Sequence, residues 1–199
     1  QTDIGGISQI RELRAGHLSG GVFVNPPGGQ SLIQLQSIAA PIQERLDIAP
    51  LENIRAFRTT LHTIGDGFIE AITNNTLVAI RDNQPPGFQG TIIQVPVVEA
   101  NNTLRVGRFG WKNQHASLQS FSGDAYLNEM GITNPFDGNG GTVENNSLGR
   151  SVAAFDDVID PEDDGDDVEA FANFMRATRA PGRGPITAAV TRGASLFDQ

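Results

Sequence analysis

Ser117-Leu118-Gln119-Ser120-Phe121-Ser122-Gly123-Asp124-Ala125-Tyr126-Leu127-Asn128-Glu129-Met130-Gly131 is the stretch from which the rest of the chain is read. Ser117 suits a helix N-cap, since its hydroxyl can accept a bond from an unpaired first-turn amide. Gly131 suits the left-handed residue that ends a helix. Between them Leu118, Phe121, Ala125 and Tyr126 fall on one helical face. Glu129 stands eleven residues after Leu118, eight after Phe121 and four after Ala125, which predicts a place on that same apolar face. It also lies just before Gly131, where the negative end of the helix dipole disfavours an anion. Burial and dipole both push a carboxyl towards its neutral form, and such a group can hold and return a proton. A glutamate frayed into solvent at a helix end is the competing reading.

Working outward, Ile92 to Val98 and Leu104 to Phe109 read as a hairpin turning at Ala100-Asn101-Asn102, with Pro96 confining its strand to an edge. From Thr63, an apolar patch of Phe68, Ile69 and Ile72 predicts a helix. Thr73-Asn74-Asn75 starts a second helix through Arg81, which the prolines at 85 and 86 stop. Before these, residues 1–62 form a turn-rich arm with short strands at Val22 to Val24 and Ser31 to Ile38. Residues 134–165 read as a mobile loop, rich in Asn and Gly and then acidic. Residues 166–199 hold two helices separated by Pro181-Gly182. The first carries Val168, Phe171, Ala172 and Met175, with Asp166 and Asp167 capping and charging its start. The second carries Ile186, Ala189, Val190, Gly193, Leu196 and Phe197, and its apolar stripe at the last residues has the look of a helix cut short. The expected fold is mainly α with short β-hairpins, as one segment over residues 1–199.

The chain has 14 basic and 23 acidic residues, a net charge of -9, and nine of the acids sit between Asp156 and Glu169. Removing those nine leaves 14 acids against 14 bases, so the acidity is local. No basic stripe exists to release counterions, which argues against nucleic-acid binding. No apolar run reaches the ~18 residues a membrane helix needs, and Gln1 to Gly6 lack the basic-then-apolar order of a signal peptide. Lys112 is the single lysine, and arginine's planar fork suits carboxylates, cofactor propionates among them. With no cysteine, these residues can form no disulfide, zinc knuckle or thioether link.

Trp111 is the single tryptophan, placed at the end of a predicted strand as either a core anchor or an electron relay. His17, His62 and His115 match no metal-ligand spacing; His17, in a turn-rich region, reads as a surface residue or a metal ligand. No Gly-x-Ser-x-Gly elbow or Walker loop is present, and Gly138-Asn139-Gly140-Gly141 lacks the strand and helix that phosphate binding needs. Asp160 to Gly165 imitates a calcium loop, but Phe171 stands where its bidentate acid should be.

Five segments together resemble the di-haem oxidoreductases of putative peroxidase type, relatives of bacterial di-haem cytochrome c peroxidases. They are Ile64 to Ile72, Gly107 to Lys112, Ala125 to Thr133, Phe171 to Arg176 and Arg192 to Phe197. The resemblance implies a cytochrome-c-peroxidase-like fold, this chain being the portion between two haem-attachment motifs, one before Gln1 and one after Gln199. It further implies two c-type haems, neither attachable within these residues, in a periplasmic or other extracytoplasmic protein. Glu129 matches the acid over the peroxide-binding haem, Trp111 the tryptophan between haems, and His17 the removable distal histidine. Arg105, Arg108, Phe109 and Met130 are the candidate haem contacts. The implied partners are peroxide and a donor cytochrome or other small redox protein, with a homodimer compatible. Two further readings stay open: a non-catalytic di-haem electron conduit, and a haem-less structural or binding module whose acidic tract docks a basic partner.

Overall fold

The computed structural model describes residues 11–29, 31–37, 39–136, 152 and 154–198. Strand β1 (Arg11–Ser19) is its first organising element, and it pairs antiparallel with β2 (Val22–Val24), β3 (Leu32–Ile33) and β4 (Ile54–Thr59). The period of two along β1 sends Leu13 and Ala15 to one face, where they are buried with Ile33 against Leu35 and Ile48. Glu12 and Arg14 therefore stand on the opposite face. The β1–β2 turn sits at Gly20 and Gly21, both at positive φ, which glycine adopts without a Cβ penalty.

Helices α1 (Asp66–Ala71) and α2 (Asn74–Asp82) form where the apolar patch and Thr73 predict them, and the Thr73 hydroxyl accepts the Thr76 amide. The hairpin follows as β5 (Gln94–Val97) and β6 (Thr103–Val106), turning through Asn101 and Asn102 at positive φ. Pro96 costs no ladder bond to a third strand, because both strands of this two-stranded sheet are edges. Helix α3 (Leu118–Ala125) opens on Ser117, whose Oγ accepts the Ser120 amide at 3.1 Å. It then widens into a π-helical turn, Tyr126–Met130, that ends on Gly131 at φ 78.

Helix α4 (Asp166–Ala177) buries Val168, Ala172 and Met175, and Leu118 and Phe109 complete this second core. Its cap is Gly165, not an aspartate side chain; Asp166, Asp167 and Glu169 supply negative charge to the first turn. Helix α5 (Ala188–Phe197) is exposed along its whole length. The acidic stretch is partly anchored. Thr133 donates through Oγ1 to Asp160 Oδ1 at 2.7 Å and through its amide to Glu162 Oε2 at 3.0 Å. The Gly-rich stretch 138–141 lies outside the described residues.

The expected mainly α, cytochrome-c-peroxidase-like inter-haem fold is overturned. Six strands in antiparallel sheets accompany five short α-helices among the described residues, so the architecture is mixed. The reason lies in the arm. Arg11 to Ser19 mixes charged residues with Leu and Ala and carries no β-branched run, so its strand character arises from pairing with three neighbours.

Glu70 joins the helical half. Its Oε1 accepts the Leu118 amide at 2.7 Å and Arg176 Nη2 at 3.0 Å, and its Oε2 accepts Arg176 Nε at 2.7 Å. Burial alone would raise this carboxyl, but Arg176, the Leu118 amide and Arg105 outweigh it and hold Glu70 below the usual glutamate value. Replacing Glu70 with Ala removes the junction of α1, α3 and α4 and is expected to cost about 2–4 kcal/mol. Urea unfolding measures this, and a loss under about 0.5 kcal/mol would show that the helices hold together without it.

Candidate active site around Glu129

Two short segments bring the site together on the face of β1 that carries Glu12 and Arg14. The first is the loop after β6. The Arg108 and Phe109 amides both donate to His115 O, at 2.8 and 3.0 Å, and the His115 amide returns a bond to Phe109 O at 3.2 Å. This closes a tight loop, with Gly110 at φ 80, and displays Trp111 at its tip. The second is the π turn. A π turn rotates less per residue than an α-helix, so positions beyond Ala125 depart from the wheel that places Glu129 with Leu118 and Phe121. Tyr126 and Leu127 take the buried positions, and Glu129 comes out at the edge.

Glu129 is therefore solvent-accessible, which corrects the expectation of a core-facing acid. Its surroundings are nonetheless special. It lines three cavities of about 380, 420 and 240 Å³. The 380 Å³ cavity also takes in Trp111, Phe109, Phe121, Leu61 and Ile69, so one face is aromatic and aliphatic. Desolvation, a hydrogen bond to Glu12, and the charges of Glu12 and Asp124 push the Glu129 carboxyl up to about 7, with Arg14 opposing.

Of the seven residues singled out from the sequence, four line that one cavity: Glu129, Trp111, Arg108 and Phe109. Trp111 is 45% exposed, which makes it a cavity wall and not a core anchor, and Arg58 stands over its ring at 5.2 Å. Phe109 is buried in the core with Leu118 and Met175 and reaches the cavity from below. The Arg108 guanidinium is committed to the α1 end. It donates to the carbonyls of Ile69, Glu70, Ile72 and Val106 and to Asn74 Oδ1. Its charge caps that helix and is not directed at a ligand carboxylate.

The other three lie apart from that cavity. Arg105 lines a separate groove beside Glu70 and Arg176, and Met130 lines the 240 Å³ cavity. His17 sits on β1, where its Nδ1 meets the buried Glu52 Oε2 at 2.9 Å. No group of three metal-ligating side chains occurs among the described residues.

Glu12, Arg14, Arg58 and His62 belong to the site and were not legible as such. Glu12-Leu13-Arg14-Ala15 does alternate charged and apolar residues, the one available signal. A hydrogen-bonded chain runs behind the cavity. Ser120 Oγ meets His115 Nδ1 at 3.0 Å, and His115 Nε2 lies 3.4 Å from Asp124 Oδ2. Ser120 is buried and lines none of these cavities, so the chain orients Asp124 and offers no nucleophile to a substrate.

The donor set can be weighed against haem. No cysteine is present, so these residues cannot attach the macrocycle. The wall of Trp111, Leu61, Ile69 and Phe121 suits the edge of a planar aromatic group. The fit is that of a contact surface with an acid beside it.

No family model, no curated protein and no solved structure matches this chain.

A carboxyl raised in the folded state binds its proton more tightly there than in the unfolded chain. The unfolded state thus releases its proton first as pH rises from 4.5 to about 7, and stability falls across that window. Stability measured by chemical denaturation should therefore decline from about pH 5 to about 7. Glu129→Gln should flatten that decline, and an unchanged slope in the variant would assign the proton elsewhere.

Proposed function

We propose that this chain serves a haem-dependent oxidoreductase of peroxidase type, with two c-type haems attached by cysteines outside these residues. The observation that carries the reading is one cavity with a proton-holding acid, Glu129, and an accessible indole, Trp111, in its walls. The resemblance of Ala125 to Thr133 and Gly107 to Lys112 to the di-haem family supports the same assignment. Haem iron, when bound, supplies the oxidising chemistry.

The chain's own residues then do three things. Trp111, Leu61 and Ile69 form an apolar contact wall on one side of the cavity. Glu129 is near half-protonated at neutral pH, so it can give a proton to a peroxide oxygen and take one back. Trp111 is an electron stop between donor and acceptor. Arg58 over its ring disfavours positive charge on the indole, and Glu12, directly opposite Arg58 in the β1–β4 register, offsets it. Donor and oxidant would be a small redox protein and peroxide, in an extracytoplasmic compartment. The described residues contain no helix long and apolar enough to cross a membrane.

In the haem-loaded protein, Glu129→Gln should lower peroxide turnover by about 10²-fold, because the amide cannot donate and accept the proton. The wild-type rate should show an inflection at about 7, absent from the variant. Full turnover with the inflection retained in Glu129→Gln would remove this acid from the reaction. Failure of the natural protein's iron to bind cyanide would favour an electron conduit instead.

A further inference from the structure

Two cavities meet at Glu129. The 380 Å³ cavity contains Trp111, and the 420 Å³ cavity contains Arg45, Gln34 and Gln36. Among the described residues, the two share two wall residues, Glu12 and Glu129. These two carboxyls are therefore the wall that the two cavities have in common.

We propose that Glu12 and Glu129 form a single proton-sharing pair that passes protons from the Arg45 cavity to the Trp111 cavity. The proposal rests on the proton-donating role of Glu129 given above and adds where its proton comes from. The strand places Glu12. Its neighbours Leu13 and Ala15 turn into the core, so Glu12 and Arg14 point together to the opposite face. Arg14 donates to Glu12 through Nε at 3.3 Å and Nη2 at 3.0 Å, and both bonds converge on Oε2. Oε1 takes no bond from Arg14. Two carboxyls in contact hold one proton between them, because two anions at that distance repel.

The other charges around the pair fix its polarity. Asp124, from α3, repels an anion at Glu129, and Arg14 favours one. Across the Trp111 cavity stand His62, Asp66 and Arg108, the last committed to backbone carbonyls. Arg58 stands opposite Glu12 on β4, Arg45 lines the other cavity, and Glu44, Asp156 and Glu162 line the third cavity beside Glu129. Burial and Glu12 together keep the proton on Glu129 to about pH 7.

The cycle balances without electrons. The O–H bond of Glu129 breaks as an acceptor in the Trp111 cavity takes the proton. Glu12 takes a proton delivered from bulk solvent as hydronium through the Arg45 cavity, leaving neutral water, and hands it to Glu129, restoring both carboxyls. One proton crosses per cycle.

The test follows the carboxyl C=O infrared absorption of the full chain between about pH 4 and about 9. The Glu129 band is identified by its loss in Glu129→Gln. In Glu12→Gln the Glu129 midpoint should fall by about one unit, since an amide N–H favours the carboxylate. Glu12→Asp should return part of that shift. Arg14→Gln should move the midpoint upward, and serves if Glu12→Gln does not fold. A midpoint unmoved in folded variants at both positions overturns the pair.

Transfer is read separately, in the haem-loaded protein, where Glu12→Gln should lower kcat about tenfold with KM unchanged. Full kcat in that variant overturns the passage between cavities. A shifted midpoint with no peroxide turnover in any form upholds the pair and removes the peroxidase reading. Turnover with an unmoved midpoint does the reverse.

Discussion

The Glu70 carboxylate is the contact on which the helical half depends. A short helix such as α1 has too few residues to be stable by itself, since nucleation costs more than a few backbone bonds return. Its place is fixed because Glu70, one residue from its end, bonds the first amide of α3 and the guanidinium of α4. The backbone carbonyl of the same residue accepts Arg108, which ties the Trp111 loop to the same point. One side chain thus sets the positions of three helices, and its own carbonyl anchors the loop that carries the tryptophan.

The sheet does a different task. Its core is small, Leu13, Ala15 and Ile33 with Leu35 and Ile48, but it is enough to hold β1 with a defined face outward. That face supplies charge to a cavity whose aromatic wall comes from elsewhere in the chain. Glu129 arrives from the π turn, and π turns often occur at functional positions because they spend helical regularity to redirect a side chain. The acid is consequently at a junction of cavities, where carboxyl neighbours and partial burial act on it together. That is a different route to a neutral carboxyl from enclosure in an apolar core.

Large apolar side chains remain exposed over the described residues, among them Phe68, Phe174, Ile186, Leu196 and Phe197. In α5, Val190, Leu196 and Phe197 are all exposed, so the helix has its sequence stripe without a surface among the described residues to cover it. Local capping still forms it: Thr187 Oγ1 accepts the Val190 amide.

Local signals determined a good part of this protein. Thr73 and Ser117 as caps, Gly131 as a stop, the Asn101-Asn102 turn and the buried stripe of Val168, Ala172 and Met175 are all decided within a few residues, by hydrogen-bonding capacity and periodicity. Glu129 and Trp111 are each singled out from the sequence and line one cavity, though the orientation of the acid could not be read, because a π turn breaks the rule that a constant rotation per residue supplies. Tertiary structure alone decided the rest. β1 is a strand because three others pair with it, Arg108 is spent on a helix end, His17 is bound to Glu52, and Glu12 lines the same two cavities as Glu129 from more than a hundred residues away along the chain. Long-range pairing of charges and strands leaves no local pattern, since the energy that selects it exists only once the segments are brought together.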